Sequence, residues 1–271
     1  LLPRIQPLGD VEEDELSLLL SAKNRLDLPP SIAPLRRQGL LAQTLLAMPD
    51  YAKSPDQALA LANELGRLMD QIHTEGLDIK DLATLAGAEF ARHWQITLDF
   101  LKIIAEHWPA ILAEQGAIDA ADRRDRLIRA LTQSWAENPP PFPILAAGST
   151  GSIPATALLL KTIASLPQGR VVLPGLDRDL DPESWNAIDD THPQATLKTL
   201  LKTCGVAREN VTLWPAAANA SAAPGLPARQ HLASEITRPP ATSGAWQNQV
   251  IAPEDMATAL SGIRRYDCDT P

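Results

Sequence analysis

The chain has 271 residues, of which 45% are hydrophobic, enough for one large or two ordinary domains with a real core. Its formal net charge of −9 argues against a broad phosphate-binding surface, because sequence-independent DNA affinity comes from Lys and Arg contacts. No run of 18 apolar residues and no signal-peptide pattern occur, and the two cysteines are far apart. These features predict a cytoplasmic protein without a membrane span or a disulfide.

The first 50 residues predict a strand, a linker and a helix. The chain does not begin with Met, and Leu1–Ile5 already has a strand-like pattern, so we expect it to start inside a longer protein. Apolar residues at helical spacing predict a helix over 35–48. Arg36 and Arg37 lie in its first turn, where they either face solvent or contact a phosphate of DNA.

Residues 54–137 show helical periodicity throughout. Ser54–Gln57 is a capping box with Pro at the first helical position, and Gly76 ends the helix that it starts. A longer helix is predicted over 89–115, with Gly116 just beyond its end. This stretch is therefore expected to form an all-helical subdomain.

A helix over 119–135 carries the most basic patch of the chain, which begins with Arg123 and Arg124. Three aspartates on the same helix neutralise much of this charge: Asp119, Asp122 and Asp125. The patch is therefore expected to be a solvated, self-paired face, and a contact to the DNA backbone is the alternative.

A strand–helix–strand pattern of about 30 residues follows Pro139–Pro141, which matches the usual size of a parallel crossover. A strand over 143–148 ends in the Gly148–Ser152 turn, a helix opens at Pro154, and a second strand runs over 170–174. The turn precedes a helix N-terminus, where backbone N–H groups and the helix dipole favour an anion.

The remaining elements are shorter. The chain is expected to be rich in loops from Asp177 to Asp190 and to form a flexible connection over 215–230. Between and after them, the pattern predicts a helix over 195–204, a short strand over 211–214, a short helix over 232–237 and a weak helix over 253–263.

Two nucleotide-binding motifs place a glycine-rich turn between a strand and a helix. A P-loop requires G-x-x-x-x-G-K-[ST], which the chain lacks. Gly148, Gly151 and Asp177 resemble the start of a short-chain dehydrogenase, but Pro154 takes the third glycine position and that family's Tyr-x-x-x-Lys pair is absent. The turn is therefore predicted to be structural, and a site for NAD(P) in an oxidoreductase-like domain is the alternative. The residues of such a phosphate-binding or nucleotide-binding turn are Gly148, Ser149, Thr150, Gly151, Ser152 and Asp177.

Known catalytic constellations are otherwise missing from the sequence. The five histidines form no H-E-x-x-H motif and no pair with a cysteine, and Ser149 and Ser152 are not in G-x-S-x-G. We therefore predict neither a catalytic residue nor a metal site in this chain.

Two strings resemble the AddB subunit of alphaproteobacterial AddAB helicase–nucleases. They are Ala147–Thr156, which reads AGSTGSIPAT, and Val171–Asp177, which reads VVLPGLD. Three further pieces agree with that family: LLPRIQPLG at 1–9, PLRRQGLL at 34–41, and HPQ at 192–194 with the Leu-rich helix after it. The resemblance runs from residue 1 to about residue 250.

The resemblance implies a role in double-strand break repair by homologous recombination. AddB-type proteins begin with a region folded like a helicase motor and end with a nuclease that holds an iron–sulfur cluster. They pair with an AddA-type motor, which uses ATP and Mg²⁺, to unwind and resect DNA ends. This chain would be an internal, non-catalytic piece of the helicase-like region, with DNA ends and the AddA-type subunit as partners and with no cofactor of its own.

The fold implied is α/β, a degenerate P-loop NTPase-type parallel sheet with helices on its faces and an inserted all-helical subdomain. Residues 1–53 and 138–271 would form the α/β domain, and 54–137 the helical insertion. An active helicase carries an Asp-Glu pair after the strand that here ends at Ala147-Gly148, and this chain has no carboxylate there. That departure favours a scaffold that guides DNA through Arg36, Arg37, Arg123 and Arg124.

Overall fold

The computed structural model describes residues 28–48, 50–77, 106–214, 226–247 and 251–264, together with residues 5 and 266. Four helices come first: α1 (Pro34–Leu46), α2 (Pro55–Glu75), α3 (Trp108–Glu114) and α4 (Ala120–Glu137). A strand–helix–strand segment follows: β1 (Ile144–Ala147), α5 (Pro154–Ser165) and β2 (Gly169–Val172). The last helices are α6 (Pro182–Asn186), α7 (Ala195–Cys204), α8 (Leu226–Ile236) and α9 (Pro253–Leu260), with 3₁₀ segments at Arg208–Asn210 and Pro240–Gln247.

Helix α2 has the ends that its sequence predicts. Ser54 Oγ accepts a hydrogen bond from the backbone N–H of Gln57 at 3.4 Å, and Pro55 takes the first helical position. Gly76 ends the helix in the left-handed region at φ 65°, which glycine adopts without the penalty of a Cβ. The predictions of α1, α2, α4, α5 and α7 are confirmed to within two residues at each predicted end.

The first compact unit comprises residues 1–143 and 153–169. Helix α1 packs on α2, and α4 packs on both α2 and α5. One buried cluster joins α1, α2 and α3, and its members are Ile32, Leu41, Ala42, Leu45, Ala52, Ala58, Ala62, Leu65, Met69, Trp108 and Leu112. Burying apolar surface of this kind stabilises a fold by about 25 cal/mol per Å².

An extended segment before α1 is tied to the loop before α4. Ile32 donates its N–H to the carbonyl of Ile118 at 2.9 Å, and Ile118 donates to Pro30 at 3.1 Å. These bonds form a short parallel β-bridge, which holds the segments that precede α1 and α4 next to each other.

The second compact unit comprises residues 144–152 and 170–271. Strands β1 and β2 form a two-stranded parallel sheet, and Gly148 extends the pairing by donating its N–H to Val172 O at 3.2 Å. Later in this unit α8 packs on α9, and α6 packs on the 3₁₀ segment Pro240–Gln247. The coarse expectation of an α/β chain is met by an α-rich structure with this small sheet.

A largely buried ion cluster joins the start of α6 to the end of α8 in the second unit. The Arg238 side chain is 2% exposed and donates to both carboxylate oxygens of Glu235, at 2.9 and 2.6 Å. It also contacts Asp181, which caps α6 by accepting the N–H of Ser184 at 2.9 Å. The hydrogen bond from Ser184 and the neighbouring Arg238 guanidinium hold the pKa of Asp181 well below its usual range. The sequence analysis did not identify this cluster.

Two predictions in the second unit are wrong, and a third is incomplete. Residues 211–214 form no strand, because the two strands of the described sheet pair only with each other. Helix α8 begins at Leu226 rather than at residue 232, so Pro227 lies in its first turn instead of a connection. The loop expected after Asp177 contains α6, which Asp181 and Pro182 start.

The predicted domain bounds and the compact units divide the chain differently. The predicted boundary between residues 53 and 54 falls between α1 and α2, which pack together in one unit. The predicted strand over 1–5 apart from residue 5, most of the predicted helix over 89–115, and Cys268 lie outside the described residues. Among the helices that the structure describes, none is both long and apolar enough to cross a membrane.

Candidate functional site

The Gly148–Ser152 turn connects β1 to the segment that begins α5. Gly148 and Gly151 both lie in the left-handed region, at φ 81° and 66°. Ser149 Oγ accepts the N–H of Gly151 at 3.2 Å and so satisfies one backbone donor inside the turn. Ile153, the N-cap residue of α5, makes no side-chain hydrogen bond to the helix, and Pro154 has no N–H that needs an acceptor.

Gly151 packs tightly against α7. A Cβ placed on Gly151 would lie 2.8 Å from Cδ1 of Leu200, a residue of α7 that is almost fully buried. The same construction at Gly148 meets no atom within 4 Å. Gly151 is therefore required both by its backbone conformation and by close packing, whereas Gly148 is required by conformation alone.

Asp177 organises the turn after β2. Its carboxylate oxygen Oδ1 accepts the backbone N–H groups of Asp179 and Leu180, at 2.9 and 3.0 Å. Its own N–H donates to Oε1 of Gln194, whose Nε2 donates to the carbonyl of Gly175. Asp177 thus has the hydrogen-bond pattern of an Asx turn, a structural role that turn aspartates commonly take.

A cleft of about 480 Å³ opens beside this turn, within the second unit. Asp177 and Gln194 line it, together with Ser234 and Thr237 of the segment around the end of α8. The region lies after the carboxyl end of β2, where open α/β sheets bind ligands. Because Gln194 bonds to backbone groups at both ends of its amide, it serves the turn rather than a ligand.

The four arginines predicted to contact DNA all lie in the first unit, in the first turns of α1 and α4. Arg36 is exposed and donates to Gln115 Oε1 from Nε and Nη2, at 3.2 and 2.9 Å. Arg123 donates from Nε to the carbonyl of Pro29 at 3.0 Å. Arg37 and Arg124 line one cleft, which brings these two predicted residues together.

Arg37 belongs to a largely buried polar network that the sequence analysis did not identify. Its side chain is only 14% exposed, and its guanidinium lies 2.9 Å from Asp70 Oδ1 and 2.8 Å from Asp119 Oδ1. Asp119 also accepts the indole N–H of Trp108 at 2.8 Å, and His73 Nε2 lies 3.7 Å from Asp119 Oδ2. The network therefore joins α1, α2, α3 and the start of α4.

The network shifts the pKa values of two of its members. The carboxylate of Asp119 raises the pKa of His73 above its ordinary value, against the opposing effect of burial. Burial by itself raises the pKa of Asp119, but His73, Arg37 and the indole N–H of Trp108 favour the charged carboxylate and leave the pKa lowered. Asp119 is therefore a buried carboxylate that stays ionised.

The remaining basic residues of α4 are paired as the sequence predicts. Arg126 forms an ion pair with Asp122 at 2.8 Å, and Arg129 pairs with Asp125 at 2.6 Å, both at the i,i+4 spacing of a helix face. The described part of the chain holds no group of three or more His, Cys, Asp or Glu side chains placed to bind a metal.

Comparisons with known proteins do not extend these observations. No family model, no curated protein and no solved structure matches the chain.

Proposed function

We propose that this chain is a non-catalytic, helicase-like part of a DNA end-processing subunit that acts in double-strand break repair by homologous recombination. The observation that carries the proposal is the β1–turn–α5–β2 segment, in which a glycine-rich turn follows a parallel strand without a Walker lysine or an acid pair. A motor site needs both, because the lysine contacts the phosphates and the acids hold Mg²⁺ and orient water.

The packing of the turn supports a scaffold rather than a motor. Gly151 lies against Leu200, and Ser149 already satisfies the N–H of Gly151, so part of this turn is committed to the fold. The steps that need ATP hydrolysis then belong to an AddA-type motor subunit. This chain contributes surfaces that bind that partner and DNA ends in the cytoplasm. Arg36, Arg123 and Arg124 are the residues proposed to meet the DNA backbone.

The first experiment measures steady-state ATP hydrolysis by the chain in the presence of single-stranded DNA. We expect turnover to stay at background, and a rate near 1 s⁻¹, within the usual range of enzymes, would overturn the non-catalytic assignment. The assay is repeated after adding the AddA-type motor, whose own turnover serves as the positive control.

The second experiment tests DNA-end binding by the mixture of this chain and the motor. A labelled blunt-ended duplex is competed with unlabelled linear DNA or with covalently closed circles of equal mass. We expect linear DNA to compete and circles to compete poorly, with the chain increasing the affinity of the motor for ends. Equal competition, or an affinity that the chain does not change, would overturn the proposed role.

The alternative is an NAD(P)-binding oxidoreductase-like domain that uses Gly148, Gly151 and Asp177. It requires the Asp177 carboxylate to accept ribose hydroxyls, whereas Oδ1 already accepts two backbone N–H groups. Calorimetric titration with NAD, NADP, ATP and ADP distinguishes the two. A dissociation constant of about 10 μM or tighter, roughly −7 kcal/mol, for any of them would favour a nucleotide site over the scaffold.

A further inference from the structure

A cleft of about 410 Å³ opens in the first unit between the first turns of α1 and α4 and one face of α2. Its volume falls in the range of small-ligand sites, roughly 300–1,000 Å³. Three arginines from three different helices line it: Arg37, Arg67 and Arg124. Asp70 is the one carboxylate among its described lining residues.

The three arginines differ in how much of their charge is already balanced. Arg37 lies within ion-pair distance of Asp70 and Asp119, although its buried Nη2 has no hydrogen-bond partner among the described residues. Arg67 pairs with Glu64 at 3.0 Å, but both side chains are largely exposed, and such pairs contribute little and exchange easily with other partners. Arg124 is exposed and has no ion pair among the described residues. The cleft therefore holds guanidinium groups that are available to an anion.

Two helix N-termini open onto the same cleft. Leu35 and Ala121, the second residues of α1 and α4, line it, and neither helix has a side-chain cap. Asp119 is the N-cap of α4, but its carboxylate is taken by Trp108 and Arg37 and does not cap the helix. The positive ends of both helix dipoles and their first-turn N–H groups add to the effect of the arginines.

We propose that this cleft binds a phosphate group, either free or carried by a nucleic-acid strand. A phosphate has oxygens pointing in several directions and up to two negative charges, which matches donors that arrive from two helix ends and from Arg124 and Arg67. The inference goes beyond the proposed function and does not rest on it, since a free phosphate can bind whether or not the chain acts on DNA.

The test follows the backbone amide resonances of Leu35 and Ala121 in the ¹⁵N-labelled chain during titration with potassium phosphate, with potassium chloride as the ionic-strength control. We expect saturable shifts at both amides below about 10 mM, ten times a dissociation constant of 1 mM. Arg124→Gln should weaken binding about tenfold, because it removes a charge-assisted hydrogen bond.

Two variants separate binding from a general effect of charge or stability. Arg126→Gln removes the same charge from the same helix outside the cleft and should leave the phosphate affinity unchanged. Asp70→Asn removes the carboxylate from the lining and should strengthen binding, a direction that a damaged fold would not produce. Absence of saturable shifts, equal weakening in Arg126→Gln, or an unchanged affinity in Arg124→Gln would each overturn the proposal.

A second titration identifies the source of the phosphate. Oligothymidylate with a 5′-phosphate is compared with the same oligonucleotide bearing a 5′-hydroxyl, and with inorganic phosphate alone. Stronger shifts at Leu35 and Ala121 with either oligonucleotide than with inorganic phosphate assign the cleft to a nucleic-acid strand. Shifts with inorganic phosphate that the oligonucleotides do not exceed assign it to a free phosphate.

Discussion

Asp119 joins more elements of the first unit than its position as a helix N-cap suggests. An aspartate at that position ordinarily accepts an N–H from the first turn of its own helix. Here the carboxylate instead accepts the Trp108 indole N–H and contacts Arg37, two residues that the chain brings from α3 and α1. Because Asp119 is 1% exposed and stays ionised, the partners are needed to balance a buried charge.

Removing the carboxylate should therefore destabilise the chain strongly. Asp119→Ala leaves the Trp108 indole N–H without its acceptor and Arg37 without one of its two neighbouring carboxylates, and breaking a buried pair in this way costs about 3–5 kcal/mol. Urea unfolding followed by tryptophan fluorescence measures the loss. The matched control is Asp122→Ala on the same helix, whose pair with Arg126 lies at the surface and should contribute less than about 1 kcal/mol. Equal losses in the two variants would contradict the network.

His73 gives the stability of the chain a pH dependence with a defined sign. Because Asp119 raises the folded-state pKa of His73 above its unfolded value of about 6.5, folding favours the protonated imidazole. Its contribution is fully present below about pH 6.5 and is lost as the pH rises through the folded pKa. The free energy of unfolding should thus fall as the pH rises above about 6.5, and His73→Gln should flatten that fall. An unchanged pH profile in the variant would contradict this assignment.

Gly148 and Gly151, both in the glycine-rich turn, should respond differently to substitution by alanine. Gly148→Ala places a Cβ in open space and costs only the left-handed backbone conformation, about 1 kcal/mol. Gly151→Ala meets the same backbone cost and also drives a Cβ to 2.8 Å from Leu200, which adds about 1–3 kcal/mol of overpacking. Thermal unfolding of both variants measures the difference. A Gly148 variant less stable than the Gly151 variant would show that packing against α7 is not the constraint.

The helix ends of the first unit could be predicted because local chemistry determines them. Ser54 and Gly76 act within one turn of their own helix, as a hydroxyl cap and a left-handed terminator. Helix α6 was not predicted, because Asp181 starts it while also contacting Arg238, 57 residues later in the chain. Residues 211–214 have strand composition, but a strand also needs a partner, which composition does not specify.

The candidate sites likewise include residues whose roles the sequence could predict and residues whose roles it could not. Gly148, Gly151 and Asp177 are visible in the sequence because turns need glycine and Asx side chains at fixed positions. The role of Arg37 depends on Asp70 and Asp119, which lie 33 and 82 residues away, so the sequence presented it as one more exposed arginine beside Arg36. A buried network of this kind leaves no local signal apart from charged residues on otherwise apolar helix faces.

At the scale of the whole molecule, the net charge of −9 means that any contact with DNA must be local. The arginines of the first turns of α1 and α4 are the local positive charge, and Arg37 among them is committed to internal pairs. The proposed role therefore requires few phosphate contacts, with further affinity supplied by the partner motor.

This argument predicts a shallow salt dependence for binding of the chain to duplex DNA. With Arg36, Arg123 and Arg124 as the contacts, the slope of log K against log salt should be no steeper than about −3, since each phosphate contact contributes about −0.9. Fluorescence anisotropy with a labelled duplex between 50 and 200 mM salt, roughly a fourfold range, measures it. Arg124→Gln should reduce the slope by about 1, and Arg126→Gln, which removes an arginine already paired with Asp122, should leave it unchanged. A slope near −6 or steeper would mean that a wider basic surface binds DNA, and an equal effect of the two variants would remove Arg124 from the contact.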